Sequence, residues 1–263
     1  MSEKNVISFD LETIADRRML DYLPDSKANA RLKSPDKLQV EVDEIGAVIS
    51  APSFIDLSEK AQAKLQKDLV KAQGAVAIAL EKISLDLAEK TIKQVAEMGL
   101  DPAMNMICSA AWSDATGKNG CILLKEESGE AEKSLLIDLW AILDEYNHFV
   151  TYNGRGFDIP CLLLHGMEYG VRPSVNIDKG RYNKGNHTDL RGILAGEGAF
   201  AKGKLDFFAK KYLGRGKADG MSGDQVQTYW DLELYEDIME YNIEDAVLTM
   251  DLYKMADIAG LLE

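Results

Sequence analysis

One stripe of residues near the C-terminus limits how this chain can fold. In LELYEDIMEYNIEDAVLTMDLYKM, Leu234, Ile238, Tyr241, Leu248, Leu252 and Met255 follow alternating steps of four and three, which is one face of a helix. The position the stripe skips is 245, and an aspartate fills it. A carboxylate on an apolar face is costly unless something meets it. Two readings fit: Asp245 is hydrogen-bonded to a core partner, or it faces a cation. Tyr241 lies one turn earlier on the same face.

A second conflict stands near the N-terminus, in VISFDLETIAD. Val6 to Phe9 reads as a buried strand, and alternation along it puts Asp10 and Glu12 on one face with Leu11 on the other. The pair suits a solvated strand end, with Thr13 or Asp16 capping a following helix. It equally suits a divalent cation held between two carboxylates that otherwise repel. A third acid, Asp158, lies in VTYNGRGFDIPCLLLHG, where a buried strand meets Gly154 and Gly156 and then an apolar helix with Pro160 near its start. That context favours an N-cap, while the glycines would let a substrate pass close to the backbone.

Composition narrows the classes. The 263 residues, 46% of them hydrophobic, suffice for one substantial core with an insertion. MSEKNVISF holds no apolar run of signal-peptide length and no stretch approaches a membrane span, so a cytoplasmic protein with no membrane partner is expected. Cys108, Cys121 and Cys161 form no CxxC pair, and His148, His165 and His187 show no metal-ligand spacing. Neither a phosphate-binding GxxxxGK[ST] nor a GxSxG elbow is present. The net charge of −14 argues against gripping nucleic acid through the overall field. Between Arg172 and Lys217, however, eleven basic residues stand against four acids. That run suits a local basic surface or a solvated face.

The chain reads as strand, long segment, two strands joined at ATGKNG, helix, strand, helix, with the striped helix at the end: an α/β sheet flanked by helices. The long segment, residues 14–104, is expected to be irregular at first and then to form two helices that break near Gly74. Lys60, Lys64, Lys67 and Lys71 would share one helical face, solvated or contacting a nucleic-acid backbone.

Taken together, FDLET, YNGRGFD and YNIED resemble the three motifs of the DEDD, or DnaQ-like, 3'-5' exonucleases in their tyrosine subclass. TYNGRGFDIPCL, HTDLRGIL and KYLGRGKADGMSGDQV are similar to blocks of the predicted exonucleases related to the proofreading domain of family B DNA polymerases. The resemblance runs over residues 5–12 and about 106–255. It implies a ribonuclease H-like fold with a mixed central sheet, one exonuclease domain over 1–263, and 14–104 as a largely helical insertion within it. It implies Asp10, Glu12, Asp158 and Asp245 as ligands of two divalent ions, Mg²⁺ or Mn²⁺, about 3.5–4 Å apart. Asp10 would bridge both, Glu12 and Asp245 would bind the first, and Asp158 would reach the second; Tyr241 would orient the attacking water. The substrate implied is the 3' end of single-stranded DNA, with a polymerase or other replication or repair protein as partner. RNA as substrate, and a non-catalytic nucleic-acid-binding subunit, are the alternatives.

Outside the acids, Asn153 and Phe157 are candidates for the terminal nucleotide, with core packing the rival for Phe157. Lys204, Lys210, Lys211 and Arg215 are candidates for the phosphate backbone. Asp189, in HTDL, is expected to be structural.

Overall fold

The apolar run that starts at Val6 does not stop before the acids. Strand β1 spans Val6–Ala15 and stays buried almost throughout, because Leu11, Ile14 and Ala15 extend the buried pattern. Asp10 and Glu12 therefore lie in mid-strand, not at the strand end expected from the sequence. The register against the neighbouring strand shifts between Glu12 and Thr13, a bulge that re-aims side chains at this point. Thr13 caps nothing here: its hydroxyl donates to Gly99 O. Asp16 accepts the amide of Arg18 at the start of a 3-10 turn, Arg17–Tyr22.

The computed structural model describes residues 4–22, 35–51, 55–180, 185–196, 203–217 and 221–262. Arg181, Lys184 and Lys202 of the basic run, and 218–220 of the KADGM block, lie outside them. By internal contacts the chain divides into two units, residues 1–20 with 96–263, and residues 21–95.

In the first unit, β2 (Asn105–Asp114) and β3 (Asn119–Leu123) form the expected hairpin, and β4 (His148–Thr151) and β5 (His187–Asp189) complete a five-stranded mixed sheet. The order is β3-β2-β1-β4-β5, antiparallel from β3 to β1 and parallel from β1 to β5. Ile7, Phe9 and Leu11 of β1 share a core cluster with helices α3 (Gly129–Leu143) and α4 (Asp158–Tyr169). On the other face lie α5 (Leu190–Leu194), α6 (Leu205–Leu213) and α8 (Tyr235–Ile258), with Val6, Val150, Leu190, Phe208 and Leu248 in a second cluster. The short α7 (Val226–Asp231) joins the first cluster through Val226 and Trp230. Small residues let α8 lie against the sheet: the buried Ser8 hydroxyl donates to Ala246 O at 2.7 Å. The stripe of α8 is buried from Ile238 to Leu252, while its ends, Leu234 and Met255, are exposed.

The unit of residues 21–95 departs from expectation in two ways. Helix α1 runs over Pro35–Ser50, where an irregular stretch was expected; Pro35 stands at its first position, where a proline costs no hydrogen bond. Residues 32–34 and 52–54 of that stretch lie outside the described residues. Helix α2 runs unbroken over Glu59–Gly99. Gly74 does not end it, since a mid-helix glycine costs only about 1 kcal/mol against alanine and its flanks are good helix formers. Lys60, Lys64, Lys67 and Lys71 are all exposed on α2. Among the described residues no helix is long and apolar enough to cross a membrane.

Candidate active site

Strand β1 and helix α8 bring the misplaced acids together. One oxygen from each of Asp10, Glu12 and Asp245 lies within 4.8 Å of the others. Glu12 and Asp245 are buried and Asp10 keeps an edge to solvent. Asp158 does not cap α4. The N-cap residue is Phe157, and the Asp158 carboxylate instead accepts the amide of Leu11 at 3.0 Å, which ties it to β1 at the residue between Asp10 and Glu12, beside the three acids that lie within 4.8 Å of one another but not one of them. Three motifs far apart in sequence thus meet at one place.

The electrostatics show how unfavourable four clustered carboxylates are. Desolvation, then the charges of Asp158, Asp245 and Glu12, push Asp10 well above the ordinary carboxylate range. Glu12 is raised likewise, by burial first and then by Asp245, with Lys217 opposing. Burial lifts Asp158 to about 7 against the pull of the Leu11 amide, and lifts Asp245 to about 6 against the pull of Lys217. Burial and the neighbouring acids also drive the Tyr241 phenol far up, so it remains protonated.

Two residues at the centre were not singled out from the sequence. The Lys217 ammonium donates to Asp245 Oδ2 at 2.5 Å and to the Tyr241 hydroxyl at 2.6 Å, and lies 4.2 Å from the centre of the Tyr241 ring. Asn242 is fully buried; its amide donates to Asp10 Oδ2 at 2.9 Å and its oxygen accepts from Ser109 at 2.8 Å. Asn242 precedes Asp245 by three positions on α8, a spacing that puts the two side by side on one face.

The donor set fits a divalent cation. All the groups are hard carboxylate oxygens, and Asp245 Oδ1 is buried with no hydrogen-bond partner among the described residues. Lys217 meets one oxygen of that carboxylate and leaves the other to be satisfied.

The loop after β4 is tied down by its own hydrogen bonds, and of residues 153–156 only Gly156 is exposed. Asn153 takes a positive φ of 76° and its oxygen accepts from Gly156. Asp189 holds the loop by accepting the amides of Asn153 and Arg155, a structural task. Arg191 donates to the Asn153 side chain at 2.5 Å. Phe157 is half-buried and packs against the main core. Of the basic candidates, Lys204 is exposed at the start of α6, Lys210 is paired with Asp206 at 2.8 Å and Arg215 is paired with Asp251. Lys211 lies over the rings of Phe207 and Tyr212.

Residues 103–263 match the family model described as a predicted 3'-5' exonuclease related to the exonuclease domain of PolB. The chain is similar to DNA polymerase 1 of Sulfolobus acidocaldarius, 30% identical over 153 residues, which is 53% of this chain and 16% of the polymerase. DNA polymerase 1 of Aeropyrum pernix is 27% identical over 176 residues, 56% of this chain and 18% of that one. Each similarity thus spans under a fifth of the relative's length. In fold, the chain matches the structure of the family B DNA polymerase from Pyrobaculum calidifontis with a TM-score of 0.55 and 14% identity, over 97% of this chain and 24% of that one.

Proposed function

We propose that this chain, which belongs to the family of predicted 3'-5' exonucleases related to the exonuclease domain of PolB, removes mononucleotides from the 3' end of single-stranded DNA. The observation that carries the reading is the convergence of Asp10, Glu12 and Asp245, with Asp158 tied beside them by the Leu11 amide. That the similar proteins from archaea are DNA polymerases supports DNA as the substrate, and a polymerase or other replication or repair protein as partner.

The reaction is attack of water on phosphorus with departure of the 3' oxygen of the penultimate nucleotide, which releases a nucleoside 5'-monophosphate. Asp10, Glu12 and Asp245 would hold one divalent ion and Asp158 a second, Mg²⁺ or Mn²⁺, whose chemistry is to neutralise the phosphate and lower the pKa of water. The chain's own groups set the stage. Asn242 fixes one oxygen of Asp10, and the Leu11 amide fixes one of Asp158. Lys217 donates into the Tyr241 oxygen, so the phenol proton points elsewhere and is available to a water or a phosphate oxygen. Held as a phenol, Tyr241 orients and does not act as a base. Asn153 and the exposed edge of Phe157 would receive the terminal nucleotide, and Lys204, Lys210, Lys211 and Arg215 would lie along the phosphates. The segment 14–104, most of it the unit of residues 21–95, is read as a largely helical insertion within one exonuclease domain over 1–263. The cytoplasm is the compartment we assign, in keeping with three free cysteines.

The substrate assignment is tested with 5'-labelled DNA and RNA strands of one sequence, each alone and as a blunt duplex, incubated with Mg²⁺ or Mn²⁺. Faster shortening of single-stranded DNA is expected. Preference for the RNA strand would move the reading to an exoribonuclease.

A further inference from the structure

Helix α6 turns two aromatic rings to solvent with an ammonium between them. Phe207 is 51% exposed and Tyr212 42%, although the buried side of the same helix, Leu205, Phe208 and Ala209, is already seated in the core. Both rings are braced by Phe208, which meets Phe207 edge-on at 5.1 Å and stacks on Tyr212 at 6.1 Å with 6° between planes. Lys211 Nζ lies 6.0 Å from the Phe207 centroid and 5.1 Å from that of Tyr212. A π face attracts an ammonium but accepts little of what its three N–H groups can donate. Lys210 and Arg215 differ, since carboxylates meet them within the fold.

The helix is wired to the acid site. Asp206, next to Phe207, accepts the backbone amide of Lys217 at 2.9 Å, and the Lys217 ammonium reaches Asp245 and Tyr241. One residue separates the aromatic helix from the carboxylates. The five positions from Phe207 to Tyr212 advance about 7.5 Å along the helix axis, away from that connection.

We propose that Phe207, Lys211 and Tyr212 form a subsite that holds the single strand upstream of the scissile bond, the rings stacking on unpaired bases and Lys211 taking a phosphate. The proposal rests on the exonuclease reading of the acids. Charge is what selects a nucleic acid: in a chain of net charge −14 the rings are placed with a cation, inside its most basic stretch. Stacking on exposed rings requires bases with a free face, which excludes a paired duplex and tolerates any sequence.

The test is fluorescence anisotropy of a labelled 12-residue oligothymidylate, in excess chelator so that nothing is cleaved. Wild type is compared with Phe207→Ala/Tyr212→Ala, with Lys211→Ala, and with Met167→Ala as a control at another exposed apolar side chain. The double variant should bind at least about tenfold more weakly, Lys211→Ala more weakly with a shallower salt dependence, and the control like wild type. Phe207→Leu/Tyr212→Leu, which keeps apolar contact without a stacking face, should behave as the alanine pair does. Equal binding by the double variant and wild type overturns the subsite, as does a wild type that binds no oligothymidylate. Weakened binding in the double variant with no strand cleavage by wild type under any metal would keep the subsite and remove the exonuclease reading.

Discussion

Lys217 and Asp245 form a short ion pair, 2.5 Å from ammonium to carboxylate, with 19% and 8% of their side chains exposed. Among the described residues the Lys217 ammonium is the positive charge that opposes burial and mutual repulsion at Asp10, Glu12 and Asp245, holding each lower than it would otherwise lie. Replacing Lys217 with Met should destabilise the metal-free protein by about 3 kcal/mol, the cost of leaving a buried charge unpaired. Saturating Mn²⁺ should narrow that gap, because a bound cation neutralises the same acids. Urea denaturation with and without Mn²⁺ reads both; a gap that Mn²⁺ leaves untouched would speak against a shared charge role.

Asn242 acts through Asp10. Asn242→Leu should lower the turnover number about 10- to 100-fold, the usual effect of losing a group that orients a metal ligand. Metal affinity measured by calorimetry should fall with it. A variant with full turnover and full affinity would make Asn242 merely a core residue.

A residue's distance from the pattern it breaks decided what was legible beforehand. Asp245 interrupts an apolar stripe, and Asp10 and Glu12 interrupt a buried strand, so each was visible as a conflict. The hairpin between β2 and β3 was visible from its turn residues. Lys217 was one basic residue among eleven in a run, and its partner lies twenty-eight positions away, brought near only by the packing of α8. Asn242 hid beside Tyr241 because an amide in a helix breaks no pattern. Asp158 was read as readily as a helix cap; only the fold shows its carboxylate bonded to the Leu11 amide. Helix α1 is hidden because a proline such as Pro35 reads as readily as a breaker as it does as the first residue of a helix, which is where it stands.

Gly154 is a packing requirement of the loop that sets Asp158. A Cβ there would lie 2.4 Å from Thr151 Oγ1, and that hydroxyl is held by His187 at 2.9 Å. The Gly154 carbonyl also accepts the amide of Ile159 at the start of α4. Gly154→Ala should cost about 1–3 kcal/mol and reduce activity by moving Asp158. Thermal unfolding beside a turnover assay checks it; wild-type values in both would show that the loop yields freely.

His165 gives a pH dependence unconnected with the metal acids. Its ring faces two acceptors, Glu132 Oε1 at 2.5 Å and Pro102 O at 3.1 Å, so both nitrogens donate and the ring is charged. Burial lowers its pKa, but the bond and charge of Glu132 win and the pKa is raised above 6.5. The folded state therefore holds this proton more tightly than the unfolded one. The stabilisation is complete below about pH 6.5 and disappears as pH rises through the raised value. The melting-temperature difference between wild type and His165→Gln should accordingly shrink from pH 6 to pH 9. A difference that grows with pH would contradict the assignment.

Which nucleotide leaves first, and what its release requires, decides whether Asp10 and Asp245 serve a metal-dependent 3'-5' exonuclease. A single-stranded DNA carrying one label on its 3'-terminal nucleotide is incubated with wild type, Asp10→Asn and Asp245→Asn, each with Mn²⁺ or chelator. Labelled nucleoside 5'-monophosphate is expected as the first product, from wild type with metal alone. Release by both variants at the wild-type rate, or release in chelator, would contradict that role of the two acids.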